Sequence, residues 1–386
     1  MQEHELVLSD VHLRHSASSS TFEYRTASSL ISNGGRPVAD ADGDIADGDI
    51  PVRRRLEADA DGDIPVRRRL EADADGGMCT KRRRSSDVRS LVVTHSSDGT
   101  TLADVGLQVW RGALLLCDWL VHHSDRLVDP DLVVLELGAG CGLCGCLAAQ
   151  LGARVYLTDV GDAILRNAAA NVAVNDVASR ATVRRFDWFE RWAPEAWAYP
   201  ALAHGELGAS VPSAFEWQPA DRDALLAARR VLVLAADCVY DDHLTDALID
   251  RVSDLVGWLA GGEHAPRWPE GGEDAPKEPA GGDHVAGHVA GRAVTVVFSL
   301  ERRINFCLDS LSARAPAAEH FHRRLHAIGT ADAHEGAHDG ATGLECHERR
   351  AVEIPQAFDY ERSRELRLHE CVVRPARGAP GSTGLQ

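Results

Sequence analysis

The chain of 386 residues is 44% apolar and carries 59 acidic against 41 basic residues, a formal charge of −18. That length and apolar fraction suffice for one large or two ordinary cores, while an acidic excess repels a phosphodiester backbone and argues against nucleic acid as the direct ligand. No apolar run is long enough to predict a membrane span, the start MQEHELVLSD lacks the pattern of a secretory leader, and nine cysteines in mostly apolar contexts suit a soluble protein of a reducing compartment.

Residues 1–92 are rich in Ser, Asp, Gly and Arg and hold the unit DGDIPVRRRLEADA twice, at Asp47–Ala60 and Asp61–Ala74. So polar a segment buries too little apolar surface to offset its ordering entropy, and disorder is expected. Glu57, Asp59, Asp61 and Gly62 imitate the start of a calcium loop, but Arg68 stands where its bidentate glutamate belongs, so no calcium site is expected. The run Lys81–Arg84 reads as solvated charge or as an import signal.

Residues 93–379 are expected to form one domain. Trp110, Leu114, Cys117 and Val121 recur at helical spacing. Strands then alternate with helices: a strand at 133–137, a helix at 143–151, a strand at 154–158, a helix at 163–174, and strands at 182–186, 230–236 and 293–299. Leu244, Leu248, Val252, Leu255 and Leu259 mark one face of a further helix. Apolar strands alternating with helices predict an α/β fold with a parallel sheet covered on both faces. Polar inserts near 260–292 and 329–350 read as surface loops, 380–386 as a flexible tail, and 351–355 with 367–373 as an antiparallel edge hairpin. His284 and His288 are spaced like helical metal ligands, but the glycines around them oppose a helix, and no metal site is expected.

The informative stretch is LVVLELGAGCGLCGCLAAQLG, from Leu132 to Gly152. Cys141, Cys144 and Cys146 have no second pair to close a zinc site and read as small apolar packers. Gly138, Gly140 and Gly142 follow a strand and precede a helix, where backbone amides and a helix N-terminus converge. Gly140, Gly142 and Gly145 also spell the dinucleotide pattern G-x-G-x-x-G, with Asp159 near the position of a ribose-binding acid. Spacing alone does not choose between a dinucleotide and another ligand. Glu136, read as aiming a carboxylate at the mouth of the loop, disfavours a diphosphate and favours S-adenosylmethionine, which carries an ammonium and a sulfonium.

The stretches VGLQVWRGALLL, VLELGAGCGL, VYLTDVG, FDWF, LAADCVYDDHLTDAL and FSLERRINF occur in that order between about Val105 and Val373. Together they resemble the seven-strand, Rossmann-like class I methyltransferases dependent on S-adenosylmethionine, and within them the protein-lysine group with an Asp-x-x-Tyr motif. The resemblance implies a mostly parallel seven-stranded sheet with helices on both faces. It implies that Gly138, Ala139 and Gly140, with Glu136 and Gly142 beside them, hold the methionine part of the cofactor. It further implies that Asp159 accepts from the ribose hydroxyls, that Trp110 walls the cofactor, and that Asp187 and Trp188 meet the adenine edge and face, with Ala236 lining the same site. Asp237 would recruit the lysine amine and Tyr240 would direct its lone pair. The implied partner is a non-histone protein bearing a target lysine, nuclear and nucleic-acid-associated, with no membrane and no direct nucleic acid; the implied location is nucleus and/or cytoplasm. Two other readings remain: a non-catalytic binding module retaining the fold, and an NAD-dependent oxidoreductase using the overlapping glycine pattern.

Overall fold

The computed structural model describes residues 19–25, 88–96, 98–190, 214–259, 292–307, 312–330 and 343–374. The tandem units, the calcium-like stretch, Lys81–Arg84, the insert holding His284 and His288, and 380–386 lie outside the described residues.

Two strands come first: β1 (Ser19–Arg25) and β2 (Val88–Thr94) pair antiparallel, from Ser19 opposite Thr94 to Arg25 opposite Val88. Then follow α1 (Arg111–His122), the single turn α2 (Ser124–Leu127), β3 (Leu132–Leu137), α3 (Leu143–Gln150), β4 (Arg154–Asp159), α4 (Asp162–Val174) and β5 (Ala181–Arg185). The second half adds α5 (Pro219–Ala227), β6 (Arg230–Ala236), α6 (Asp242–Leu259), β7 (Ala293–Glu301), the short pair β8 (Asn305–Cys307) and β9 (Ser312–Arg314), α7 (Pro316–Thr330), β10 (Gly343–Arg350) and β11 (Leu366–Arg374).

The main sheet has the order β10-β11-β7-β6-β3-β4-β5. Its five strands from β7 to β5 run parallel, and β11 and β10 close one side antiparallel. β3 sits mid-sheet with every residue buried, which explains its unbroken apolar run around one acid. Leu132 and Val134 pack into the core shared with α1, α3 and α4, while Val133, Leu135 and Leu137 pack against α5, α6 and α7. Because β4 flanks β3 on one side and β6 on the other, the strand order reverses at β3. Loops leaving the C-terminal ends there line the crevice in which such sheets bind ligands.

Two expectations change in part. The region expected to be disordered contributes β1, whose Tyr24 is 1% exposed and stacks on Phe358. Asn171 and Asn175, one turn apart on α4, hydrogen-bond the backbone of Val92 and Thr94, so α4 completes β2's outer edge with side-chain amides. The edge partner of β11 is β10, inside the stretch read as a polar insert, whereas 351–353 form a 3-10 turn. β10 looked like loop because an edge strand keeps charged residues on its open side. Cys346 and Cys371, directly opposed across β10 and β11, are disulfide-bonded. Among the described residues, Cys117, Cys141, Cys144, Cys146 and Cys238 are buried free thiols, and no helix is long and apolar enough to cross a membrane.

Candidate cofactor and active site

Four parallel strands deliver predicted site residues to one edge of the sheet: Gly138 after β3, Asp159 ending β4, Asp187 and Trp188 after β5, and Asp237 after β6; the end of β7 adds Glu301, which was not predicted. Gly138 has φ +65°, and a Cβ there would stand 2.7 Å from the Cys238 sulfur and 3.0 Å from the Trp188 ring. Only glycine fits between those two groups, so the loop after β3, the tryptophan after β5 and the turn after β6 meet at this backbone.

The amides of this loop are turned inward. Ala139 donates to the Thr158 carbonyl at 2.9 Å, Gly140 to Asp159 Oδ2 at 2.7 Å, and Gly142 to the Ala139 carbonyl at 2.7 Å. Two of these donors brace the loop after β3 against β4 and the third closes the turn on itself, leaving less of the amide nest on which a diphosphate depends. Asp159 is half-buried and also accepts from the Val160 amide at 2.7 Å, and burial pushes its carboxyl up to about 6. It holds the glycine turn while keeping lone pairs for a further donor.

Glu136 does not face the mouth of the loop. Strand alternation sends its side chain to the α1 and α3 side, where it is 1% exposed beneath Gly145; its Oε2 lies 2.5 Å from where a Gly145 Cβ would stand. That approach accounts for glycine at position 145. Burial pushes this carboxyl up to about 8, only partly countered by the Gly145 amide and the Cys144 thiol, and Oε2 has no hydrogen-bond partner. At neutral pH the group is largely protonated, so its charge cannot select a cationic ligand. What counts against a diphosphate is that the loop's amides are engaged inside the protein.

Asp237 has φ +55°, a conformation few non-glycine residues adopt. Its side chain is 1% exposed: Oδ2 accepts from the Gly112 amide at 3.1 Å, Oδ1 accepts from the Glu301 amide at 3.3 Å, and Arg303 stands at 3.8 Å. Its own amide donates to the Ser299 carbonyl at 2.7 Å, and Ser299 Oγ donates to the Gly112 carbonyl at 2.7 Å. Asp237 therefore ties the first turn of α1 to the ends of β6 and β7. Burial pushes its carboxyl upward, opposed first by the Arg303 guanidinium. Asp241, rather than Asp237, caps α6 by accepting from the Leu244 amide at 2.9 Å. Tyr240 is half-buried, and burial pushes its phenol far above the ordinary range, so it stays protonated.

Trp110 precedes α1, donates its indole N–H to the Val105 carbonyl at 3.2 Å, and carries the Arg303 guanidinium 4.9 Å above its ring. The ring face expected to wall the cofactor thus makes a cation-π contact with this arginine. Asp187 accepts from the Phe189 amide at 3.0 Å and pairs with Arg185 at 3.5 Å. Ala236 is half-buried at the end of β6. Sequence reasoning missed Gly112, Ser299 and Arg303. Charge in ERRIN was the available signal for Arg303, whereas nothing local marks Gly112 as the partner of an acid 125 residues away.

The donor set fits S-adenosylmethionine. A glycine backbone that a Cβ would fill, an indole against it, a second indole at the start of α1, and a carboxylate with spare acceptor capacity match an amino-acid nucleoside better than a dinucleotide.

Residues 92–200 match the family described as lysine methyltransferase. That stretch holds Trp110, Glu136–Gly142, Asp159, Asp187 and Trp188, while Asp237 and Tyr240 lie beyond it. Methyltransferase-like protein 22 of Mus musculus is 32% identical over 292 residues, 74% of this chain and 60% of the relative. Its Homo sapiens counterpart is 30% identical over 281 residues, 72% and 56%. Protein N-lysine methyltransferase METTL21A of Xenopus tropicalis is 40% identical over 87 residues, 22% and 39%. The chain thus spans 60% and 56% of the length of the two longer matches. With the seven-strand sheet and glycine loop in place, residues 92–200 match the lysine methyltransferase family, and 72–74% of the chain is similar to methyltransferase-like protein 22.

Proposed function

We propose that the protein transfers a methyl group from S-adenosylmethionine to a lysine amine of a non-histone protein. The observation that carries this reading is Gly138 enclosed by Trp188 and Cys238, one residue from Asp237 and two from Tyr240. Gly138–Gly140 would hold the methionine part, Asp159 the ribose hydroxyls, and Trp188 with Asp187 the adenine, with Trp110 and Ala236 as walls.

The bound cofactor supplies a methyl group on a sulfonium, and the chain must supply a neutral amine in line with it. Lysine has an ordinary pKa near 10.4, so at pH 7.4 its free-base form is roughly a thousandfold minority, about 4 kcal/mol to be recovered. Asp237 is too enclosed to grip a substrate amine while it holds Gly112 and Glu301. We assign it the positioning of the turn that presents Tyr240. Tyr240, kept protonated by burial, offers a hydroxyl oxygen to orient the amine's lone pair, a gain from alignment. A basic protein substrate accords with the charge of −18, and we infer a nucleic-acid-associated acceptor in the nucleus or cytoplasm.

The test is incubation of the full chain with methyl-labelled cofactor and a cell extract, followed by mass spectrometry of the labelled proteins. Methyl-lysine is expected, with Tyr240→Phe lowering kcat about 10- to 100-fold while S-adenosylhomocysteine affinity stays within about twofold. Label confined to arginine, or unchanged turnover in Tyr240→Phe, would contradict the assignment.

A further inference from the structure

The face of the β10–β11 pair that lies against α7 carries a cluster that methyl transfer does not use. His369 on β11 is directly opposite Glu348 on β10, and α7 adds His322. The two imidazole Nε2 atoms face each other at 3.4 Å, and His322 Nε2 lies 3.5 Å from Glu348 Oε2. All three ligand atoms fall within 4.8 Å of one another. From these juxtapositions we propose that His322, Glu348 and His369 form a site for a borderline divalent transition metal, zinc being the type.

The distances suit that ion. Metal–nitrogen bonds of about 2.0–2.1 Å at tetrahedral angles place ligand atoms about 3.3–3.4 Å apart, whereas 3.4 Å is long for an N–H···N hydrogen bond. The rings cross at 61°, converging through their nitrogens rather than stacking. His369 is 3% exposed and fixed against Phe321, so one ligand is pre-positioned. Arg367 Nε takes the other oxygen of Glu348 at 3.0 Å, orienting the carboxylate so that Oε2 turns to His322. Arg367 and Arg302, the nearby cations, are engaged by Glu348 and Glu365.

Two nitrogens and one oxygen select zinc, cobalt or nickel over magnesium or calcium. Cys346 and Cys371, the next opposed pair on this face, are disulfide-bonded and leave the fourth position to water. A metal here would pin α7 to the edge hairpin. Positions 322, 348 and 369 follow no ligand spacing along the chain, which is why the sequence suggested no site.

The test uses the full chain, freed of metal with a chelator, in a His284→Ala/His288→Ala background that removes competing imidazoles. Zinc is titrated in competition with a chromophoric chelator, and cobalt is added as a spectroscopic probe. One equivalent of zinc is expected, with a tetrahedral cobalt band in the visible and no sulfur charge-transfer band. His322→Ala and Glu348→Gln, both partly exposed, should each weaken zinc binding at least about tenfold while leaving the metal-free Tm unchanged. The proposal is overturned by absence of micromolar zinc binding, by binding that survives both substitutions, or by a sulfur charge-transfer band.

Discussion

At the scale of single residues, the site is governed by what is buried rather than by what is charged. Glu136 was legible as an unusual acid in an apolar strand, but its direction was not, because a strand buried on both faces carries no polar–apolar alternation to mark which side meets the ligand crevice. Counted from Leu135 and Leu137, which face α5–α7, Glu136 must face α3. Its carboxyl has a folded-state pKa of about 8 against an ordinary value of 4.5. The folded chain therefore holds this proton more tightly than the unfolded one between those two pH values. Its contribution to stability is full below about 4.5 and is lost as pH rises through 8. Glu136→Gln is expected to flatten the fall of Tm between pH 6 and 9 relative to the parent. Parallel Tm curves for the two proteins would show that this carboxyl is ionised in the fold.

At the scale of elements, the parallel strands and their helices were readable because each is a short apolar run bounded by glycine or charge, and bounds differ by only one or two residues. β1 and β10 were not readable, since each is stabilised by partners distant in sequence: Asn171 and Asn175 beneath β2, and β11 alongside β10. The same holds for the brace behind α1. Asp118 is fully buried and accepts from the Ala357 amide at 2.7 Å, the Phe358 amide at 3.0 Å, the Tyr360 hydroxyl at 2.8 Å and Arg362 at 2.6 Å. It thereby fixes the segment between β10 and β11 to the helix that also carries Gly112 against Asp237. Asp118→Ala leaves a largely buried arginine and two amides without their acceptor, so urea unfolding should show a loss of about 3–5 kcal/mol. A loss below about 1 kcal/mol would mean that the segment is held by apolar contacts alone.

At the scale of the whole molecule, a switch in strand order at β3 gathers loops from five parallel strands, and helices on both faces make those loop ends rigid. The glycine motif, Asp159 and Asp237-x-x-Tyr240 were legible because backbone turns and strand ends leave local signatures. The ties from Asp237 to Gly112, from Arg303 to Trp110 and from Glu348 to His369 were not, because the chain meets itself there across long separations. The central claim is that the Gly138 loop cradles an amino-acid nucleoside rather than a dinucleotide. Calorimetry of the full chain against S-adenosylhomocysteine and against NAD tests it most directly, with Gly138→Ala as the control that pushes a Cβ into Cys238 and Trp188. The account predicts one S-adenosylhomocysteine bound per chain, at least about tenfold weaker in Gly138→Ala, which is a loss of at least about 1.4 kcal/mol, and no heat with NAD. Saturable NAD binding with S-adenosylhomocysteine silent would contradict it.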